Sequence, residues 1–227
     1  MIRAVFIAPH PDDETLGCGG TIHSLKSMGA EIHWVIVTAM KKDEGFSDKH
    51  IKTREDEIVQ ISEHYSFDTV NRLNFASAKL NSSNFSALIL SLKKVLSELS
   101  PTDLYLPFPG DIHSDHKFVF DAGAACSKWF RCNAINRILC YETISETDFG
   151  ISPLQNKFVP NVFVDIENYI EKKLEACSIY KSEFLPHPFP RSFENVRSLS
   201  VSRGATSGLK NAEAFMLIKE RIQYQKN

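Results

Sequence analysis

The sequence predicts a three-layer α/β/α fold, a doubly wound and mostly parallel sheet of Rossmann-like type with helices on both faces. Three observations predict it. Short apolar runs alternate with helical patterns along the first half of the chain, and strands separated by helices pair in parallel through right-handed crossovers. The first run, Ala4 to Ala8 (AVFIA), is apolar throughout, as a buried strand is. The 227 residues are 43% hydrophobic, enough for one sizeable core and hence for one domain over residues 1–227.

The elements follow in order. After the first strand comes a Gly-rich stretch, then a helix from about Thr21 to Met28 stopped by Gly29. Ile32 to Thr38 (IHWVIVT) is a second strand, and residues 39 to 50 are polar and loop-like. Thr53 caps a helix to about Tyr65, with Ile58, Ile61 and Tyr65 on one face. A third strand lies near Val70 to Phe75. The strongest helical pattern is Phe85, Leu88, Ile89, Leu92, Val95, Leu96 and Leu99, with Ser82 or Ser83 as cap and Pro101 at the exit. Leu104 to Pro107 is a fourth strand, followed by a helix from about Asp115 to Phe130 and a fifth strand, Arg137 to Tyr141. From about residue 150 the pattern is less regular. It reads as a strand at Val162 to Asp165, a helix from Ile166 to Lys181, an irregular arm around Pro186, Pro188 and Pro190, and a last helix starting near Lys210.

Composition removes several functional classes. Lys plus Arg number 26 against 28 Asp plus Glu, so no basic surface for nucleic acid or polybasic segment for a membrane is expected. No apolar run reaches the ~18 residues of a membrane span, and the apolar stretch near the N-terminus is too short for a signal-peptide core. The five cysteines are Cys18, Cys126, Cys132, Cys140 and Cys177, an odd and scattered set without CxxC. That argues against a disulfide framework and for a reducing compartment, the cytoplasm being the expected location.

Two clusters carry chemistry. His10-Pro11-Asp12-Asp13-Glu14 directly follows the first strand, and His113-Ser114-Asp115-His116 follows the fourth. In a sheet of order 3-2-1-4-5 these strands are neighbours, and the crevice between their carboxyl ends is the switch point where ligands bind. Two imidazoles and one carboxylate there suit a catalytic zinc site with a fourth position open to water. His10 and Asp13 can both ligate from one tight turn, and His116 can supply the third ligand. Asp12 and Asp13 cannot both ligate without crowding charge, so one of them is better used as a base for water whose pKa the metal lowers towards about 7. His113, one helical turn from His116, is placed to face a substrate carbonyl, where as an imidazolium it would stabilise an oxyanion and protonate the leaving amine.

These residues carry a resemblance. Ala8-Pro9-His10-Pro11-Asp12-Asp13-Glu14 together with His113-Ser114-Asp115-His116 resembles the LmbE-like or PIG-L family of zinc N-deacetylases. That family includes GlcNAc-phosphatidylinositol de-N-acetylases, the mycothiol and bacillithiol pathway deacetylases, and diacetylchitobiose deacetylases. The resemblance implies a zinc-dependent hydrolase that removes an N-acetyl group from a small amino-sugar conjugate. It implies His10, Asp13 and His116 as metal ligands, Asp12 as the base and His113 as the second catalytic group. Arg54-x-x-Glu57 resembles a further family feature, an Arg that contacts substrate, and Arg203-Gly204 with Ala212-Glu213-Ala214-Phe215 resembles the family's C-terminal segment.

Other readings stand beside this one. Two His and one carboxylate also make a facial triad for Fe2+, which keeps a non-haem iron oxygenase open, as well as another divalent ion at the same site. Gly17-x-Gly19-Gly20 could be the phosphate cradle of a non-catalytic nucleotide-binding module, but its spacing differs from GxGxxG and close backbone packing is the better reading. Glu142 ends the fifth strand on the active edge and is a candidate substrate contact. Arg54 is placed in the first turn of its helix, where its fork of donors and the helix N-terminus would favour an anionic or oxygen-rich substituent on the sugar. His23, His33, His50, His64 and His187 read as surface or structural residues, and Cys18 as a small packed hydrophobe. The arm from Phe184 to Ser198 is a candidate contact for a homo-oligomer.

Overall fold

The computed structural model describes residues 1–150 and 157–223, so the start of the irregular region, residues 151–156, lies outside the described residues. The strands are β1 (Arg3–Ala8), β2 (Glu31–Ala39), β3 (Thr69–Ala76), β4 (Asp103–Pro107), β5 (Arg137–Tyr141), β6 (Val162–Asp165) and β7 (Ala212–Glu220). The helices are α1 (Asp13–Ser27), α2 (Asp48–Tyr65), α3 (Phe85–Leu99), α4 (Ser114–Cys126), α5 (Ile170–Ile179) and α6 (Phe193–Ser207). All seven strands join one sheet in the order β3-β2-β1-β4-β5-β7-β6. The first five are parallel, and β7 runs antiparallel to both β5 and β6. The fold class and the order expected for the first five strands are thus observed.

Alternate side chains of the central strands feed two cores, one on each face of the sheet. Phe6, Ile32, Trp34 and Tyr105 pack on one side with α1, α2 and α5. Val5, Ile7, Val35 and Leu104 pack on the other with α3 and α4. No helix among the described residues is long and apolar enough to cross a membrane.

Several expectations are corrected. The first helix begins at Asp13, not near Thr21. All residues from Asp13 to Ile22 are buried, so α1 shows no polar face for periodicity to detect. A Cβ on Gly17 would run into the Tyr141 ring, and one on Gly20 into Ile166. These glycines are therefore packing positions inside a helix and form no phosphate cradle. α2 starts at Asp48, capped by Ser47, whose Oγ accepts from His50 N–H at 3.2 Å. Its exposed first turns lack the apolar spacing on which the Thr53 cap rested. The residue at the N-cap of α3 is Asn84 rather than Ser82 or Ser83. α4 stops at Cys126, short of Phe130, and α5 starts at Ile170 rather than Ile166.

The largest correction lies at the C-terminus. The helix expected from Lys210 is the strand β7, and α6 occupies part of the segment read as an arm. Ala, Glu, Met, Leu and Lys are good helix formers, but the slot between β5 and β6 buries Ala212 to Phe215, and packing overrides propensity there.

A buried ion pair locks this C-terminal addition to α1. Lys173 Nζ donates to Glu213 Oε1 at 2.6 Å and to Leu16 O at 2.8 Å, while Glu213 accepts from Gly20 N–H at 2.9 Å and Thr21 N–H at 2.7 Å. Removing one partner leaves the other charge buried and alone. Lys173→Met is therefore expected to cost about 3–5 kcal/mol in chemical denaturation, and a loss below about 1 kcal/mol would show the pair to be dispensable.

Candidate metal centre

Both motifs reach the carboxyl edge of the sheet between β1 and β4. After Ala8 the chain turns at once, and Pro9 O accepts from Thr38 N–H (3.0 Å) and Thr38 Oγ1 (2.8 Å) of β2. Asp12 then adopts φ 139° and ψ −26°, a conformation that L residues rarely take. Such a residue costs of order 1–3 kcal/mol and persists only when its surroundings over-determine it. Here Glu14 Oε2 accepts the Asp12 N–H at 3.1 Å and Arg54 Nη1 donates to Pro11 O at 2.8 Å.

The turn places Asp13 at the start of α1, with its Oδ2 accepting from His10 N–H at 2.8 Å. The same oxygen lies 3.3 Å from His10 Nδ1 and 3.4 Å from His116 Nε2. His116 arrives on the first turns of α4, and its Nδ1 bonds Asp111 Oδ2 at 2.7 Å. The other ring nitrogen, Nε2, is buried and has no hydrogen-bond partner among the described residues. His10 repeats the pattern, with Nδ1 towards Asp13 and Nε2 bonded to Asp115 Oδ2 at 3.2 Å.

One oxygen and two nitrogens of His10, Asp13 and His116 thus converge within 4.8 Å of one another. Each imidazole is held from behind by a carboxylate, the arrangement that orients histidine on a metal. The electrostatics agree. Burial works against charge on both rings, yet the surrounding carboxylates lift His10 to about 9 and His116 to about 10. Carboxylates that favour positive charge on both rings suit a cation, and a buried nitrogen without a hydrogen-bond partner among the described residues, facing a carboxylate oxygen, fits a divalent one. His10, His113 and Asp115 also bring one ligand atom each within 4.8 Å of one another. Of these, Asp115 is already committed, accepting from Ala78 N–H at 2.8 Å and Leu80 N–H at 3.1 Å besides His10.

His113 sits at the N-cap of α4, and its Nδ1 accepts from Asp115 N–H at 3.2 Å. An accepting Nδ1 leaves the proton on Nε2, so the ring is a neutral donor. Burial, and then the charge of His10, push its pKa down to about 4. This geometry favours the neutral tautomer over the imidazolium that the sequence reading expects.

Asp12 lines a cleft of about 200 Å³ together with His10, His113, Arg54 and Arg191. Burial pushes the Asp12 carboxyl up to about 7, against the opposing charge of Arg191. Arg54 lies in the second turn of α2, not the first, so the helix N-terminus adds nothing to it. Its guanidinium is bound to Pro11 O and Glu183, lies 3.4 Å from Glu57 Oε2 and stacks over the Tyr180 ring. Glu142 stands apart from these residues. It does not line this cleft, and its two oxygens accept from Arg203 Nε at 2.8 Å and Nη2 at 2.5 Å.

Sequence reasoning missed Asp111, Glu146, Glu183 and Arg191, and gave Asp115 no role. Asp111 lies two residues before the second motif and Asp115 within it, so a search for carboxylates near a candidate ligand histidine would have found them. Arg191 carries no local signal, because apart from Glu183, eight residues away, its partners lie 45 to 179 residues away in sequence.

Comparison with known proteins follows the same residues. Residues 5–127 match the family described as PIG-L: GlcNAc-PI de-N-acetylase. The uncharacterized deacetylase YaiS of Escherichia coli (strain K12) is 29% identical over 183 residues, covering 78% of this chain and 89% of that protein. The diacetylchitobiose deacetylase of Thermococcus kodakarensis is 25% identical over 232 residues, covering 95% and 83%. Among solved structures, the conserved protein TT1542 from Thermus thermophilus superposes with a TM-score of 0.78 at 23% identity, covering 100% of this chain and 99% of that one, and shares the fold.

Proposed function

The chain belongs to the PIG-L family, and we propose that it is a zinc-dependent hydrolase that removes the acetyl group from an N-acetylated amino sugar in the cytoplasm. The observation that carries this reading is the buried, partnerless His116 Nε2 facing Asp13 beside His10, with Asp12 on the cleft side of the same turn. His10, Asp13 and His116 are the ligands. Two nitrogens and one carboxylate oxygen suit zinc and leave a coordination position open.

When bound there, a divalent ion supplies Lewis acidity to a carbonyl oxygen and acidity to water. The remaining work falls to the chain. Asp12 accepts the proton of the attacking water. His113 lines the cleft, and its Nε2–H, left as the donor by the bond at Nδ1, donates to the oxygen of the acetyl carbonyl as charge develops on it. A neutral imidazole is too weak an acid to protonate the departing nitrogen, so Asp12 returns the proton it took. The C–N bond breaks, and acetate and a free amine leave.

The sugar assignment draws on the diacetylchitobiose deacetylase relative and on the cleft itself. The cleft is lined both by apolar side chains, Ile36, Met40, Ile51 and Ile58, and by hydrogen-bonding groups, Arg72, Asn74 and Glu146. Arg54 lines the cleft and also braces the strained turn that carries Asp12. Arg54→Ala is accordingly expected to lower kcat/KM more than about tenfold while metal content stays full. Elemental analysis and steady-state kinetics on one preparation check this, and unchanged kinetics would remove the bracing role.

The test of the reading is an acetate-release screen over N-acetyl amino sugars, run with zinc-loaded and with chelated protein. Release by the zinc-loaded form alone is expected. Release from N-acetyl amino acids but from no amino sugar would overturn the substrate assignment, and full activity after chelation would overturn the metal.

A further inference from the structure

We propose that Arg191 is a positioning residue that fixes the carboxylate of Asp12 for proton transfer, delivered to the cleft by the arm between α5 and α6. The proposal rests on the reading of Asp12 as the base.

Arg191 is far from both motifs in sequence, yet its Nη1 donates to Asp12 Oδ2 at 2.8 Å. Every nitrogen of the guanidinium is engaged. Nε donates to Ser145 Oγ at 2.8 Å, Nη1 also reaches Glu183 Oε2 at 2.9 Å, and Nη2 donates to Glu146 Oε1 at 3.2 Å. These acceptors come from the loop after β5 and the segment after α5, so the plane of the fork is set from two directions. Ser145 itself is held in the left-handed region, at φ 75°, to present its hydroxyl.

The backbone that carries Arg191 is tied down on both sides. Arg191 O accepts from Leu185 N–H at 3.3 Å, Asn195 Nδ2 donates to Pro190 O at 2.8 Å, and Ser192 Oγ accepts from Asn195 N–H at 3.2 Å as the cap of α6. The fixed fork therefore pins one oxygen of Asp12, Oδ2, and leaves Oδ1 without a donor among the described residues. An unpinned carboxylate on this turn would be free to rotate about its side-chain bonds. Lysine could supply the charge but not the fork, because an ammonium is a point charge on a flexible stem.

Misplacing a reacting group by about 1 Å costs on the order of 10²-fold in rate. Arg191→Ala is expected to lower kcat by that factor, with KM within about twofold of wild type and zinc content unchanged. Millimolar methylguanidinium should restore kcat at least about tenfold, whereas methylammonium at equal ionic strength should not. Arg191→Lys, which keeps the positive charge if the Ala variant fails to fold, should remain slow. Crystal structures of the same variants should show the Asp12 carboxylate rotated or in two orientations.

A raised KM with wild-type kcat would make Arg191 a substrate contact and overturn the proposal. So would wild-type kcat in Arg191→Lys, or an Asp12 carboxylate unmoved in Arg191→Ala. A wild-type protein that releases no acetate from any amino sugar overturns the functional reading instead, and the Asp12 orientation still decides the role of Arg191.

Discussion

Replacing His116 by Ala is expected to abolish metal binding and activity together. His116 Nε2 is the deepest donor of the proposed set, fully buried and facing Asp13 Oδ2 at 3.4 Å. Asp111, the carboxylate behind it, stands on the Nδ1 side of the ring, away from Asp13, and stays held by Thr147 Oγ1 at 2.6 Å when the ring is removed, so it does not take the place of Nε2. Losing an outer partner of a ligating histidine costs about 10- to 100-fold in metal affinity, so losing the ligand itself should cost more. Zinc content by elemental analysis should fall well below that of wild type, and acetate release should fall with it. Wild-type zinc content in the Ala variant would strike His116 from the ligand set.

Asp12→Asn is expected to separate chemistry from ligation. Asn is nearly isosteric, keeps an oxygen to accept from Arg191, and is among the residues that best tolerate a positive φ. The turn should therefore survive, and with it the placement of His10 and Asp13. What Asn cannot do is take a proton from water and hand it to nitrogen. Turnover should fall about 10²-fold or more, the usual scale for a positioned base, with zinc content unchanged. A variant that turns over at the wild-type rate excludes Asp12 as the base. One that loses its zinc instead would mean that Asp12 and Asp13 have exchanged roles.

The two substitutions rest on different kinds of information. The sequence alone determined the order of the first five strands and the meeting of two distant motifs at one edge. It could do so because parallel strands joined by helices obey handedness and adjacency rules that need no contact information. It also put forward His10, Asp13 and His116 as candidate ligands, since they lie in motifs that follow two strand ends. It did not reveal that α1 begins at Asp13, because a helix buried all round has no amphipathic stripe. Nor did it identify β7, whose residues favour helix and become a strand only because β5 and β6 leave a buried slot for them.

The finer chemistry of the site was decided by tertiary structure alone. The occupied fork of Arg54, the pairing of Glu142 with Arg203 and the arrival of Arg191 at Asp12 are contacts between residues 61 to 179 positions apart, apart from the shorter link between Arg54 and Pro11. Charge pairing of this kind depends on which side chains are excluded from water together. That is a property of the packed chain, and no spacing rule along the sequence encodes it.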